Sequence, residues 1–227
     1  ALGEHGELLT GWAMRNVDRP ARVDKAHSET AYMTNRAVEV IKTLGDEAWC
    51  LHLSYIKPHW PYMAPDPYHK MYSKDDILPP IRCNEEIKTR HPVVDAYAKH
   101  EESINFSKDE CRERVVPSYM GLISELDANI GRLIKFLENE RKIDDTIIVL
   151  TSDHGDYLGD HWLGEKELFY ESAIRIPMII IDPANEASPT RGKTINEFVE
   201  SIDLIPTFLE IAGSPHKQDH ILEGKSL

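Results

Sequence analysis

Apolar residues recur three and four apart in ETAYMTNRAVEVIKTLGDE, where Met33, Ala37, Val40, Ile41 and Leu44 share one helical side and Gly45 follows as a stop. The period then changes. In AWCLHLSYI, Trp49, Leu51, Leu53 and Tyr55 alternate with other residues, the pattern of a strand. KPHWPYMAPDPY holds four prolines, which exclude regular pairing and predict a rigid extended loop. Residues 71–105 offer only short, charged, proline-punctuated pieces and read as an irregular excursion. The strongest stripe follows Pro117, a residue suited to a helix's first turn: Leu122, Ile123, Leu126, Ile130, Leu133, Ile134 and Leu137 repeat with a period near 3.6. KIDD is a turn, and TIIVLT is a wholly apolar strand of the kind buried on both faces of a parallel sheet. IPMIII, ended by Asp182-Pro183, is a second such strand and INEFVES a third. Asp203 is placed to cap the helix LIPTFLEIAG, which stops at Gly213. The alternation of elements predicts an α/β fold, a mostly parallel sheet flanked by helices. There is no internal repeat and no low-complexity tract.

Composition narrows the function classes. A chain of 227 residues with 41% hydrophobic content can bury a sizeable core. A formal charge of −13 argues against a nucleic-acid partner, which needs clustered Lys and Arg. Small anionic substrates stay open, since a local positive site can sit within an acidic surface. Cys50, Cys83 and Cys111 are odd in number and widely spaced, which predicts neither a disulfide framework nor a zinc site and favours a reducing compartment. No apolar run is long enough to span a membrane, and the opening ALGEHGELLTGW is not a signal peptide.

Candidate chemistry gathers after TIIVLT, in TSDHGDYLGDHWLGEKELFY. Asp153 and His154 stand where a strand emerges, and Gly155 permits the bend that lets them converge on one cation. Oxygen beside nitrogen suits Zn²⁺ or Mn²⁺, and Ca²⁺ if other oxygens join; the competing reading is a capping Asp and a surface His. Lys166 is either a solvated lysine or a cation reaching back to hold an anionic oxygen or protonate a leaving group. His59, fixed between Pro58 and Trp60-Pro61, suits a general acid or a ligand-orienting donor, against a histidine merely packed in its loop. Asp160 and His161 either orient ligands or solvate the loop.

Taken together, IGRLIKFLENERKIDDTIIVLTSDHGDYLGDHWLGEKELFYESAIRIPMIII, YIKPHWPY and SIDLIPTFLEIAG resemble the C-terminal part of the sulfatase branch of the alkaline phosphatase superfamily, most of all its phosphonate monoester hydrolases. The resemblance implies an alkaline-phosphatase-like fold, with residues 1–227 forming a partial hydrolase domain truncated at its N-terminus. It implies that Asp153 and His154 bind one divalent metal, Ca²⁺ or Mn²⁺, with Zn²⁺ also compatible. It further implies that Lys166 and His59 contact the charged group of a small anionic ester, with His59 as the acid for the leaving oxygen. The family's nucleophile is a formylglycine made from Cys, or sometimes Ser, in a Cys-x-Pro-x-Arg type motif.

The sequence departs from that pattern in two respects. Cys50 is followed by LHLS, Cys83 by NEEI and Cys111 by RERV, so none fits the nucleophile motif. The acidic ligands of an N-terminal strand are also missing, and Asp75-Asp76 and Asp144-Asp145 do not follow an apolar strand. The expectation is a fragment whose full-length parent hydrolyses sulfate, phosphate or phosphonate esters, in the cytoplasm or, given the missing N-terminus, the periplasm. The alternative is a metal-binding pseudoenzyme module. A phosphomutase or phosphodiesterase branch ranks lowest, because His5, His27, His52 and His216 give no DxxxH spacing for a second metal. A homo-oligomer stays open.

Overall fold

The computed structural model describes residues 16–214 and 223–227; ALGEHGELLTGW, His5 and His216 lie outside them. The chain divides into two compact units, Ala1–Thr146 with His154–Pro177, and Ile147–Asp153 with Met178–Leu227.

In the first unit, helix α1 (Glu29–Leu44) starts at Ser28, whose Oγ accepts from the Ala31 amide at 3.1 Å, and stops at Gly45 with φ 60°. A left-handed residue at that point suits glycine, which has no Cβ to clash. The buried side runs through Ala31, Thr34, Ala37 and Ile41, whereas Met33, Val40 and Leu44 are only half-buried. Thr34 explains the rotation: its hydroxyl donates to the Thr30 carbonyl and also meets the Tyr55 hydroxyl at 2.8 Å. Residues 49–56 keep the expected alternation of half-buried and exposed positions, but they form no strand. Short helices follow in the 71–105 stretch and just beyond it: α2 (Asn84–Thr89), α3 (Pro92–Tyr97) and α4 (Glu101–Phe106).

Helix α5 (Asp109–Asn139) begins eight residues before Pro117, so the proline lies inside the helix and not in its first turn. Pro117 cannot donate to the Glu113 carbonyl, but anchors on either side hold the turn together. Arg112 donates to the Leu158 and Leu78 carbonyls at 2.9 and 3.0 Å, and Ser118 Oγ donates to the Tyr62 carbonyl at 2.7 Å. Val17, Tyr62, Ala64, Phe106, Val115 and Leu122 form one buried cluster around this helix. Tyr157, Leu163 and Ala173 form a second, and the short helix α6 (Glu171–Ile174) contributes Ala173 to it.

In the second unit, β1 (Ile148–Thr151) pairs with β2 (Met178–Ile181) in register Ile148↔Ile181 to Thr151↔Met178. The pair is antiparallel, which corrects the expectation of parallel partners. A parallel pair needs a crossover covering one face, and the intervening stretch holds only a three-residue 3₁₀ turn (Asp160–Trp162) and the four-residue α6. Nor are the strands buried on both faces: Leu150, Ile179, Ile180 and Ile181 are all exposed. INEFVES forms no strand either, and Phe198 is 99% exposed. Helix α7 (Leu204–Ile211) is followed by Gly213 at φ 63°. Asp203 does not cap it, because its carboxylate accepts instead from the Glu200 and Lys225 amides, each at 2.8 Å. Among the described residues no helix is long and apolar enough to cross a membrane, and Cys50, Cys83 and Cys111 form no disulfide with one another.

Candidate active site

The KPHWPY loop is tied down from both ends within the first unit. Lys57 Nζ donates to the His59 and Pro61 carbonyls, each at 3.1 Å, so one ammonium closes the turn around His59. Tyr62, only 1% exposed, donates its hydroxyl to Asp156 Oδ2 at 2.7 Å. Burial lifts the Asp156 carboxyl to about 6 against the Tyr62 and Leu158 hydrogen bonds that pull it down. Burial, followed by the Asp156 charge, drives the Tyr62 phenol well above its usual range, so it stays a donor. This pair joins the His59 loop to the loop after β1. Its residues stand in KPHWPY and DHGD, yet nothing in their spacing reveals that they meet.

The loop from His154 onward is held as tightly. Gly155 donates to the Ala173 carbonyl at 2.7 Å, and a Cβ on it would fall 2.0 Å from the Ser172 carbonyl oxygen. Its φ lies outside the left-handed region, so glycine is required here for close approach and not for the bend expected from sequence. Asp160 accepts from the Ile81 amide at 2.8 Å and from Ser172 Oγ at 2.6 Å. His161 contacts Glu86 at 2.9 Å and stacks on Tyr170 with ring centroids 4.0 Å apart. Arg82 donates to the Gly159 and Phe106 carbonyls, each at 2.8 Å. Asp160 and His161 are therefore occupied in building the loop.

This scaffold brings together two side chains 107 residues apart: Lys166 Nζ lies 2.9 Å from His59 Nε2. His59 Nδ1 lies 3.0 Å from the Trp60 carbonyl, which can only accept, so the ring carries its proton on Nδ1 and offers the Nε2 lone pair to the ammonium. Lys166 also pairs with Glu165 Oε2 at 3.1 Å. Glu165, which looks in sequence like a solvated neighbour of Lys166, is 8% exposed, and its Oε1 has no hydrogen-bond partner among the described residues. The His154 ring sits edge-on to His59, with centroids 6.2 Å apart. The arrangement can hold an anionic oxygen against Lys166 and exchange a proton at His59 Nε2.

His154 Nδ1 faces the Gly155 carbonyl at 2.7 Å, which by the same logic places a ring proton on Nδ1. Asp153, its neighbour in the chain, is exposed and belongs to the second unit. A carboxylate and a neutral imidazole fit a divalent ion chemically. Among the described residues, however, no three His, Cys, Asp or Glu side chains gather as a metal site. Two such donors do not by themselves make a metal site.

The sulfatase family model matches residues 9–214. The chain is 35% identical over 223 residues to the multifunctional alkaline phosphatase superfamily protein PehA of Trinickia caryophylli, covering 93% of this chain and 43% of that protein. It is 30% identical over 207 residues to an arylsulfatase of Clostridium perfringens, covering 86% of this chain and 40% of that one. The solved phosphonate monoester hydrolase of Silicibacter pomeroyi superposes with a TM-score of 0.78 at 29% identity, over 100% of this chain and 44% of that one. The chain therefore spans less than half the length of these relatives.

Proposed function

The chain belongs to the sulfatase family of the alkaline phosphatase superfamily, and on that premise we propose that it forms part of a metal-dependent hydrolase of sulfate, phosphate or phosphonate esters. The observation that carries the reading is the contact between His59 Nε2 and Lys166 Nζ at 2.9 Å. A lysine held beside a histidine, on loops fixed by unrelated contacts, is suited to grip one oxygen of a tetrahedral anion and protonate another.

In this reading Asp153 and His154 contribute to holding one divalent ion, Ca²⁺ or Mn²⁺, with Zn²⁺ also compatible with the donors. The ion would supply positive charge at the ester's anionic oxygens. Lys166 turns its ammonium from His59 to the bound anion. His59, protonated at Nε2 as well as Nδ1, gives the Nε2 proton to the leaving oxygen while the Trp60 carbonyl keeps the ring in place. The nucleophile is a formylglycine. Cys50, Cys83 and Cys111 lie outside its motif, so the activity is assigned to the full-length protein. The mostly parallel sheet is likewise assigned to that protein, with β1 and β2 as an antiparallel margin.

Kinetics of the full-length protein on aryl sulfates and phenylphosphonate esters of graded leaving-group pKa test the roles. Lys166→Ala and His59→Ala should each lower kcat/KM by about a hundredfold or more. The His59→Ala loss should grow as the leaving group becomes poorer, because a good one departs without a proton. An equal loss across the series makes His59 an anion binder and removes it as the acid.

A further inference from the structure

Beside the Lys166–His59 pair opens a cleft of about 280 Å³, walled by Trp60, Tyr97, His100, Glu102, Glu165 and Glu167. Its charge is opposite to what an anion pocket needs: among these described residues and the pair, three carboxylates face a single ammonium. Glu165 is the most telling of them. It is more than nine-tenths buried, one oxygen is engaged by Lys166, and Oε1 meets no hydrogen-bond donor among the described residues. A buried carboxylate oxygen without a donor is a position that a bound cation would satisfy.

The spacing argues against a metal here, since no three acidic or histidine side chains gather as a metal site among the described residues. Dispersed carboxylates suit a larger cation with diffuse charge, and the remaining walls are aromatic. The Tyr97 hydroxyl reaches the Gly164 carbonyl at 2.7 Å and also Glu167, which fixes the ring, and its centroid lies 5.3 Å from that of His100. Trp60 follows His59 directly, with ring centroids 6.1 Å apart. Aromatic faces among carboxylates recognise organic ammonium groups.

We propose that this cleft receives the alcohol side of the ester and selects alcohols that carry an organic ammonium, so that the preferred substrate is a zwitterion. The proposal rests on the hydrolase reading for the other end of the substrate, where the ester anion meets Lys166 and His59. It excludes alcohols bearing carboxylates or further sulfates, whose charge would face Glu102, Glu165 and Glu167.

Two measurements on the full-length protein test it. The first compares hydrolysis of 4-(trimethylammoniomethyl)phenyl sulfate with that of 4-(carboxymethyl)phenyl sulfate. The kcat/KM ratio should favour the cationic ester by about tenfold or more and fall several-fold in Glu102→Gln and in Glu165→Gln. Using the ratio within each variant cancels the intrinsic reactivity of the two esters. The second measurement is calorimetric titration with benzyltrimethylammonium chloride and, separately, with phenylacetate. Saturable binding of the ammonium alone, weakened several-fold in the same variants, is the expected result. A ratio near one in the wild type, or one unchanged by both substitutions, overturns the proposal. If the wild type hydrolyses neither sulfate, the ratio is read on the phenylphosphonate and phosphate esters of the same two phenols. If it hydrolyses none of these, the hydrolase reading fails and calorimetry decides the cleft: absence of ammonium binding then overturns its assignment too.

Discussion

Replacing Gly155 by alanine tests whether the loop carrying His154 is held by close backbone approach. The added Cβ would sit 2.0 Å from the Ser172 carbonyl oxygen and 3.0 Å from its carbon. Carbon–oxygen contacts settle near about 3.3–3.6 Å, so the two strands of the loop must part by more than about 1 Å. That movement lengthens the 2.7 Å hydrogen bond from Gly155 to the Ala173 carbonyl. Overpacking costs about 1–3 kcal/mol and the strained hydrogen bond about 0.5–1.5 kcal/mol. Alanine's smaller unfolded-state entropy returns about 0.4–1 kcal/mol. The net expectation is a loss of about 2 kcal/mol. Gly131→Ala is the matched control, since it lies within α5 with nothing within 4 Å of the added Cβ, and it should gain about 1 kcal/mol. Urea unfolding of the two variants and the wild type, analysed with a shared m value, gives both numbers. The reasoning is refuted if Gly155→Ala is as stable as the wild type while Gly131→Ala gains, because the loop would then open without cost.

Thiol chemistry and pH dependence give two more expectations. Cys50 and Cys83 are exposed, whereas burial, outweighing Arg114 and Lys108, pushes the Cys111 thiol up to about 11. At pH 8 Ellman's reagent should therefore titrate two thiols rapidly and the half-buried third much more slowly; three equally fast thiols would contradict the raised Cys111 thiol. Glu125 is 1% exposed, and burial raises its carboxyl pKa against the lowering effects of Ser28 and Lys57. A raised folded-state pKa contributes stability that is full below the unfolded value, about 4.3, and lost as pH rises through the folded value. Glu125→Gln should thus gain in stability relative to the wild type between pH 4 and pH 7, and a difference that stays flat across that range would show Glu125 unshifted.

Local features were legible in the sequence wherever a few neighbouring residues decide them. The stop at Gly45 depends on the conformation of one residue, and the burial alternation from Trp49 to Tyr55 on the period of a pleated chain. The start of α5 was not legible. Pro117 prefers a first turn, but Arg112 and Ser118, bonded to carbonyls distant in sequence, carry the helix past it. The direction of β2 was hidden for a similar reason: apolar runs state that a strand is wanted, not which way the returning chain will pair. At the site, His59 and Lys166 were visible as unusual residues in constrained loops, whereas Glu165 was not. A glutamate beside a lysine reads as solvated charge until the fold closes over it.

The crowded loop also shows how scaffold and chemistry can be told apart in a run of polar residues. Asp160 has both oxygens engaged, by Ile81 and Ser172, and His161 is held between Glu86 and Tyr170. A group so committed cannot take up a substrate without releasing the loop it builds. His59 Nε2 instead meets Lys166 Nζ, which also holds Glu165 Oε2, and neither contact ties down a backbone segment. Their exchange for a ligand oxygen leaves intact the ties that fix their loops: Lys57 on the His59 carbonyl, Tyr62 on Asp156, and Gly155 on Ala173. The unengaged oxygen of Glu165 stands at the same junction. Polar capacity left unused by folding is what a ligand can use, and beside Lys166 that capacity is Glu165 Oε1, at the wall of the cleft.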